Sequence, residues 1–162
     1  MKIFWFISLF AVVVAGALLL AGQLGVLKGH APGDLGVQNG RLKPPSWTPN
    51  SVSSQADLYP DHPQKDYARI APLQFTGNGE KAVLKIADIL KRSERTVIVT
   101  QSADYLYAQS TTPVLKFTDD LEFWLDKSAG VIQVRSASRL GRKDFHVNRD
   151  RVETIRAQFA KN

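Results

Sequence analysis

From Ile3 to Leu27 the chain carries no Asp, Glu, Lys, Arg, His or Pro. No other feature constrains the fold as strongly. A helix rises ~1.5 Å per residue, so about 20 apolar residues cross the hydrocarbon core of a bilayer. Trp5 stands near one end of the run, where an indole suits the interface. Two fates are open at this level. A cleaved signal needs a basic start, an apolar core and a small-residue site, and Ala15-Gly16-Ala17 resembles one. The apolar run nevertheless continues through Leu18, Leu19 and Leu20, and Leu20-Ala21-Gly22 is followed by Gln23 where a lipoprotein box has cysteine. Length therefore favours a retained anchor over residues 1–27. Lys2 faces Lys28, Arg41 and Lys43 across the run, a balance that does not favour export by the positive-inside rule. Lys2 followed directly by the apolar run is nonetheless the layout of an export signal, and a periplasmic domain is the expectation.

Behind the anchor, Gly29, Pro32, Gly33, Gly36, Gly40, Pro44 and Pro45 crowd residues 28–45, which read as a flexible linker. Residues 46–162 are long enough for one domain with its own core. The absence of cysteine excludes disulfides, thiolate metal sites and thiol nucleophiles. The net charge of +6 is unevenly placed. Lys28 to Val134 is neutral overall, whereas Arg135 to Asn162 has eight basic residues against three acids. Such a segment suits a small anion, a phospholipid headgroup or an acidic partner; it equally suits a solvated helix face with internal ion pairs.

Residues 49–54 and 59–65 read as irregular. Residues 71–76 suggest a short strand. Asn78 then caps a helix whose Val83, Ile86, Ala87 and Leu90 share a face, with Asp88 and Arg92 spaced for an ion pair. Four strands follow, over 96–101, 104–110, 119–126 and 131–138. In the last, Ile132, Val134, Ser136 and Ser138 fall on one face and Gln133, Arg135 and Ala137 on the other. Lys127-Ser128-Ala129-Gly130 makes a four-residue hairpin loop, which sets Leu125 opposite Ile132, Phe123 opposite Val134 and Glu122 opposite Arg135. Val152, Ile155 and Phe159 mark a final helix beginning near Asn148. The fold class is α+β: an N-terminal transmembrane helix, then β-α-β-β-β-β-α with an antiparallel sheet and two helices on one face. That order resembles the TATA-box-binding-protein-like and helix-grip arrangements, an analogy that transfers no function.

The densest polar run is Arg135-Ser136-Ala137-Ser138-Arg139, then Gly141, Asp144, Asn148, Arg149 and Arg151. With Pro49-Asn50-Ser51-Val52-Ser53-Ser54 and Phe117-Thr118-Asp119-Asp120, it resembles the bacterial and plastid family called domain of unknown function 1499, over roughly Trp47 to Phe159. In that family the position of Ser51 is commonly cysteine and that of His146 commonly glycine. The resemblance implies an N-terminally anchored or exported domain, here in a bacterial inner membrane, and implies no established reaction.

Arg135, Ser136, Ser138, Arg139, Asp144, Asn148 and Arg149 are the candidate ligand-binding residues. Arginines beside a helix N-terminus can hold phosphate or carboxylate. The competing reading is a network in which Arg139, Asp144 and Arg149 pin the last helix to the sheet, with Ser136 and Ser138 as small core residues. Asp119 and Asp120 are poor catalytic partners, because neighbouring strand residues point to opposite faces. Trp124, with Tyr105 or Tyr107, could line a sheet face for a flat ligand or pack under a loop. His30, His62 and His146 have no metal-ligand spacing, and no nucleophile–base pair or phosphate loop can be assembled. No cofactor, catalytic residue or metal is therefore assigned. The sequence favours a membrane-tethered, non-catalytic binding or assembly module over an enzyme acting on an anionic substrate at the membrane. Its expected partners are the membrane and an unknown protein or small anion. The anchor and the neutral remainder argue against nucleic acid.

Overall fold

The computed structural model describes residues 2–161. Helix α1 (Lys2–Gln23) has 22 residues, a length of about 33 Å. Its apolar side chains are exposed and only Gly22 is buried. By length and composition α1 is able to cross a membrane.

The remaining elements are β1 (Ser51–Ser53), a one-turn helix α2 (Lys65–Ala68), β2 (Leu73–Gln74), α3 (Gly79–Arg92), β3 (Thr96–Gln101), β4 (Tyr105–Thr111), β5 (Thr118–Asp126), β6 (Val131–Ser138) and α4 (Val147–Lys161). Strands β3 to β6 form a meander, and β1 and β2 both pair with the free edge of β6. All these pairings are antiparallel. The class is α+β, as the alternation of strand and helix patterns implies.

The β5–β6 hairpin has the expected register: Leu125 opposite Ile132, Phe123 opposite Val134, Glu122 opposite Arg135. The Asp126 carboxylate fixes the turn by accepting from the Ser128 hydroxyl and the Ala129 N–H. A period of two then carries the apolar residues of both strands to one face. There Leu106, Ala108, Leu121, Phe123, Leu125, Ile132 and Val134 meet Val83, Ile86, Ala87 and Leu90 of α3 and Val152, Ile155 and Phe159 of α4. The α3 stripe is the one the helical spacing predicts, and the Asn78 side chain accepts from Lys81 N–H at 2.9 Å as the cap.

Some local expectations are corrected. Residues 51–53 read as loop but form β1; Val52 is buried in the core, and pairing with residues 135–137 of β6 makes the strand. The strand over 71–76 contracts to Leu73 and Gln74, which pair with Ile132 and Val131. Pro72 has no N–H to extend it, and Gly77 turns away at a φ of 78°. Asp88 pairs with Lys91 at 3.3 Å rather than with Arg92.

The glycine- and proline-rich stretch read as a tether makes specific contacts on the sheet face opposite the helices. Gly36 N–H donates to Glu122 at 2.8 Å, the Pro44 carbonyl accepts from Arg135, and Ser46 N–H donates to Ser51. Leu42 is buried, and its N–H donates to Gln55. The sheet thus lies between two helices and an extended strap.

Candidate functional site

Strand β6 divides the candidate residues by parity. Even-numbered Ser136 and Ser138 face the helices, while odd-numbered Arg135 and Arg139 face the strap. The seven residues therefore do not converge on one point.

On the helix side, Asn148 is the hub. It is fully buried at the start of α4. Its side-chain carbonyl accepts from the Ser136 hydroxyl at 2.5 Å and from Arg151 at 3.1 Å. Its amide donates to Ser138 Oγ at 2.9 Å, to Asp144 at 2.9 Å and to the Asn50 carbonyl at 3.2 Å. Asp144 closes the helix end: its carboxylate accepts from the backbone N–H groups of His146 and Asn148. The Tyr67 hydroxyl donates to the same carboxylate. Burial opposes ionisation of Asp144, but the donors from Tyr67, Asn148 and His146 outweigh it and hold the carboxyl below the usual range. Tyr67 is pushed up to about 12, first by burial and then by the adjacent carboxylate. Arg151 completes this side with a 2.6 Å bond to Asp119. Arg149 donates to the carbonyls of Tyr67 and Arg69.

The strap side holds two buried ion pairs. Arg139 meets Asp120 through a terminal nitrogen at 2.7 Å and through its Nε at 3.0 Å, and it also donates to the Tyr107 hydroxyl. The hydrogen bond to Asp120 raises the Arg139 pKa further. Arg135 faces Glu122 at 3.5 Å, with side-chain exposures of 4% and 0%. Burial disfavours the Arg135 charge, and Glu122 is the main opposing attraction. Tyr105 donates to Glu122 and Tyr107 to Asp120. Tyr107 is buried, so this face is a polar layer under a strap.

Asp119 and Asp120 point to opposite faces, each to its own arginine, as strand alternation requires. The proposed Arg139–Asp144–Arg149 network has different partners. Arg139 lies across the sheet from Asp144, and Arg149 binds backbone carbonyls; Arg151 and Asn148 pin α4 instead.

Sequence reasoning did not assign Tyr67 or Arg151. Arg151 carried a signal, since it stands three positions after Asn148 and so on the same helix face. Tyr67 lay beside a proline-rich stretch and carried none. Two positions noted from the family resemblance have structural explanations. His146 adopts a φ of 70°, the left-handed region that favours glycine. Ser51 is buried, and its hydroxyl accepts from Ser46 N–H.

Among the described residues, no group of three or more His, Cys, Asp or Glu is placed to hold a metal. No curated protein and no solved structure matches the chain. The family described as "Protein of unknown function (DUF1499)" matches residues 41–159, which runs from before β1 to Phe159 in α4 and includes the Asn148 cluster and both buried ion pairs of the strap side. The chain belongs to that family.

Proposed function

We propose that this protein is a membrane-anchored, non-catalytic binding or assembly module, with α1 as its anchor and its domain on the periplasmic side. One observation carries the non-catalytic reading. The position at the α4 N-terminus where an external anion would bind is filled by the protein's own Asp144 carboxylate. The motif's other charges are also paired internally: Arg151 with Asp119 on the same face, and Arg139 with Asp120 and Arg135 with Glu122 on the opposite face of the sheet. A catalytic acid or base works with a pKa near the operating pH, whereas Asp144 is displaced downward, away from neutrality. The uncharged run from Ile3 through the rest of helix α1, with Lys2 at the helix start in the layout of an export signal, supports the anchor and its direction.

The test is an anion titration on the full chain in detergent micelles. Inorganic phosphate should raise the unfolding temperature no more than sodium chloride of equal ionic strength. A saturable rise that disappears in Arg149→Ala would instead establish a ligand site at the motif and favour an enzyme acting on an anionic substrate. Orientation is tested by a C-terminal alkaline phosphatase fusion, which is active on the periplasmic side only.

A further inference from the structure

The anchor does not simply lead into the domain; its end packs on it. Gln23 reaches the Val114 carbonyl at 3.4 Å, and a Cβ on Gly22 would lie 2.7 Å from the Leu115 carbonyl oxygen. Downstream, Gly29 packs against Arg139 and Leu140. These contacts select one end of the sheet. Thr111 pairs with Thr118 and Asp119 with Ser138, so the β4–β5 loop (112–117) and the β6–α4 loop (139–146) lie side by side there.

Both loops have the surface chemistry of a bilayer interface. Val114, Leu140 and Phe145 are 55%, 41% and 77% exposed. Lys116, Arg142 and Lys143 form no ion pair among the described residues. The only acid in either loop is Asp144, which is buried and bonded internally. The 22 residues of α1 span about the hydrocarbon thickness and little more. Gln23 then stands at headgroup level, and so does the loop it touches.

We propose that these two loops form a second, peripheral membrane contact: Val114, Leu140 and Phe145 enter the interfacial region while Lys116, Arg142 and Lys143 lie on anionic phospholipid headgroups. The inference rests on α1 spanning the bilayer. Charge complementarity chooses the occupant, because exposed apolar side chains ringed by unpaired cations match an anionic lipid surface. The result is a domain held against the membrane in a fixed attitude, with its β5–β6 hairpin at the far end.

The absence of cysteine makes single-cysteine labelling clean. Phe10→Cys, Val114→Cys, Phe145→Cys and Ala129→Cys are each labelled with bimane in the full chain, in nanodiscs carrying a mixture of lipids brominated near the headgroup, which reach labels at the interface, and lipids brominated deep in the acyl chain, which reach position 10. Labels at positions 10, 114 and 145 should be quenched in phosphatidylglycerol nanodiscs and that at 129 should not. Adding Arg142→Glu and Lys143→Glu, or replacing the lipid by phosphatidylcholine, should lower quenching at 145 by about two-fold or more. Quenching at 10 but not at 114 and 145 would overturn the docking alone. No quenching at 10 would overturn the anchor and the docking together. Equal quenching at 145 in both lipids, or no effect of the charge reversals, would overturn the role given to the cations.

Discussion

Arg139 is where the residue scale is most informative, because its neighbours leave little room for a second role. Its guanidinium forms a two-point pair with Asp120, which is 2% exposed. Arg139→Ala would leave that carboxylate buried with Tyr107 as its main donor. Breaking a buried pair from one side strands a charge, and we predict a loss of about 2–4 kcal/mol, measured by thermal unfolding of the full chain in detergent. An unchanged midpoint would remove the structural role. Asp144 yields a prediction in pH. Its folded pKa is depressed below the usual value of 3.8, so its stabilisation is fully present above the unfolded pKa of about 4. That stabilisation is lost as pH falls through the lower, folded value. Wild-type stability should therefore decline below about pH 4, and Asp144→Asn should be less stable at neutral pH with a shallower acid slope. Asp126 is depressed as well and keeps the slope from vanishing. The motif itself could be found from sequence, and so could the split of its serines and arginines between two faces, since parity along one strand decides both. The partners of Arg139 and Arg149 could not, because they come from residues 19 and 80 or more positions away.

At the scale of elements, what could be read were those with a period of their own. Strand β6 and the hairpin follow from alternation and a four-residue loop, and α3 from an apolar stripe behind an asparagine cap. That cap gives a direct expectation: Asn78→Ala should lower stability by about 1 kcal/mol in chemical unfolding, while Asn78→Ser should cost little. Equal losses from the two would mean that Asn78 acts through something other than its acceptor. Strand β1 has no such signal. Three residues, Ser51 to Ser53, are too few to show a period, and their hydroxyls suit a loop as well as a strand. They become a strand because β6 offers an unpaired edge and Val52 a core position. The opposite edge is managed differently: β3 exposes Val97 and Val99, and a register shift between Ile98 and Thr100 disrupts the ladder that another chain would need.

At the scale of the whole molecule, the contacts that join α1 to the domain matter more than the composition of the segment between them. Glycine and proline between 28 and 45 suggest slack, yet Gly36 and Pro44 meet buried charges on the sheet, and Gly29 is in close contact with Arg139. Glycine serves close approach here as well as flexibility. Gly22 is the sharpest case. A side chain there would meet the Leu115 backbone, with the carbonyl oxygen at 2.7 Å and its carbon at 3.0 Å, and a backbone cannot rotate aside as a side chain can. Either α1 or the β4–β5 loop must then move, and the Gln23–Val114 contact is the first to be lost. With cysteines at positions 23 and 114, a short bifunctional maleimide should cross-link the chain efficiently in membranes, and Gly22→Leu should suppress that reaction several-fold. The fold of the domain should be untouched, because Gly22 lies outside its core; an unchanged thermal midpoint in detergent checks this. A cross-link of equal yield in the Gly22→Leu background would mean that anchor and domain are not packed together, and that slack in residues 28–45 sets their relation after all.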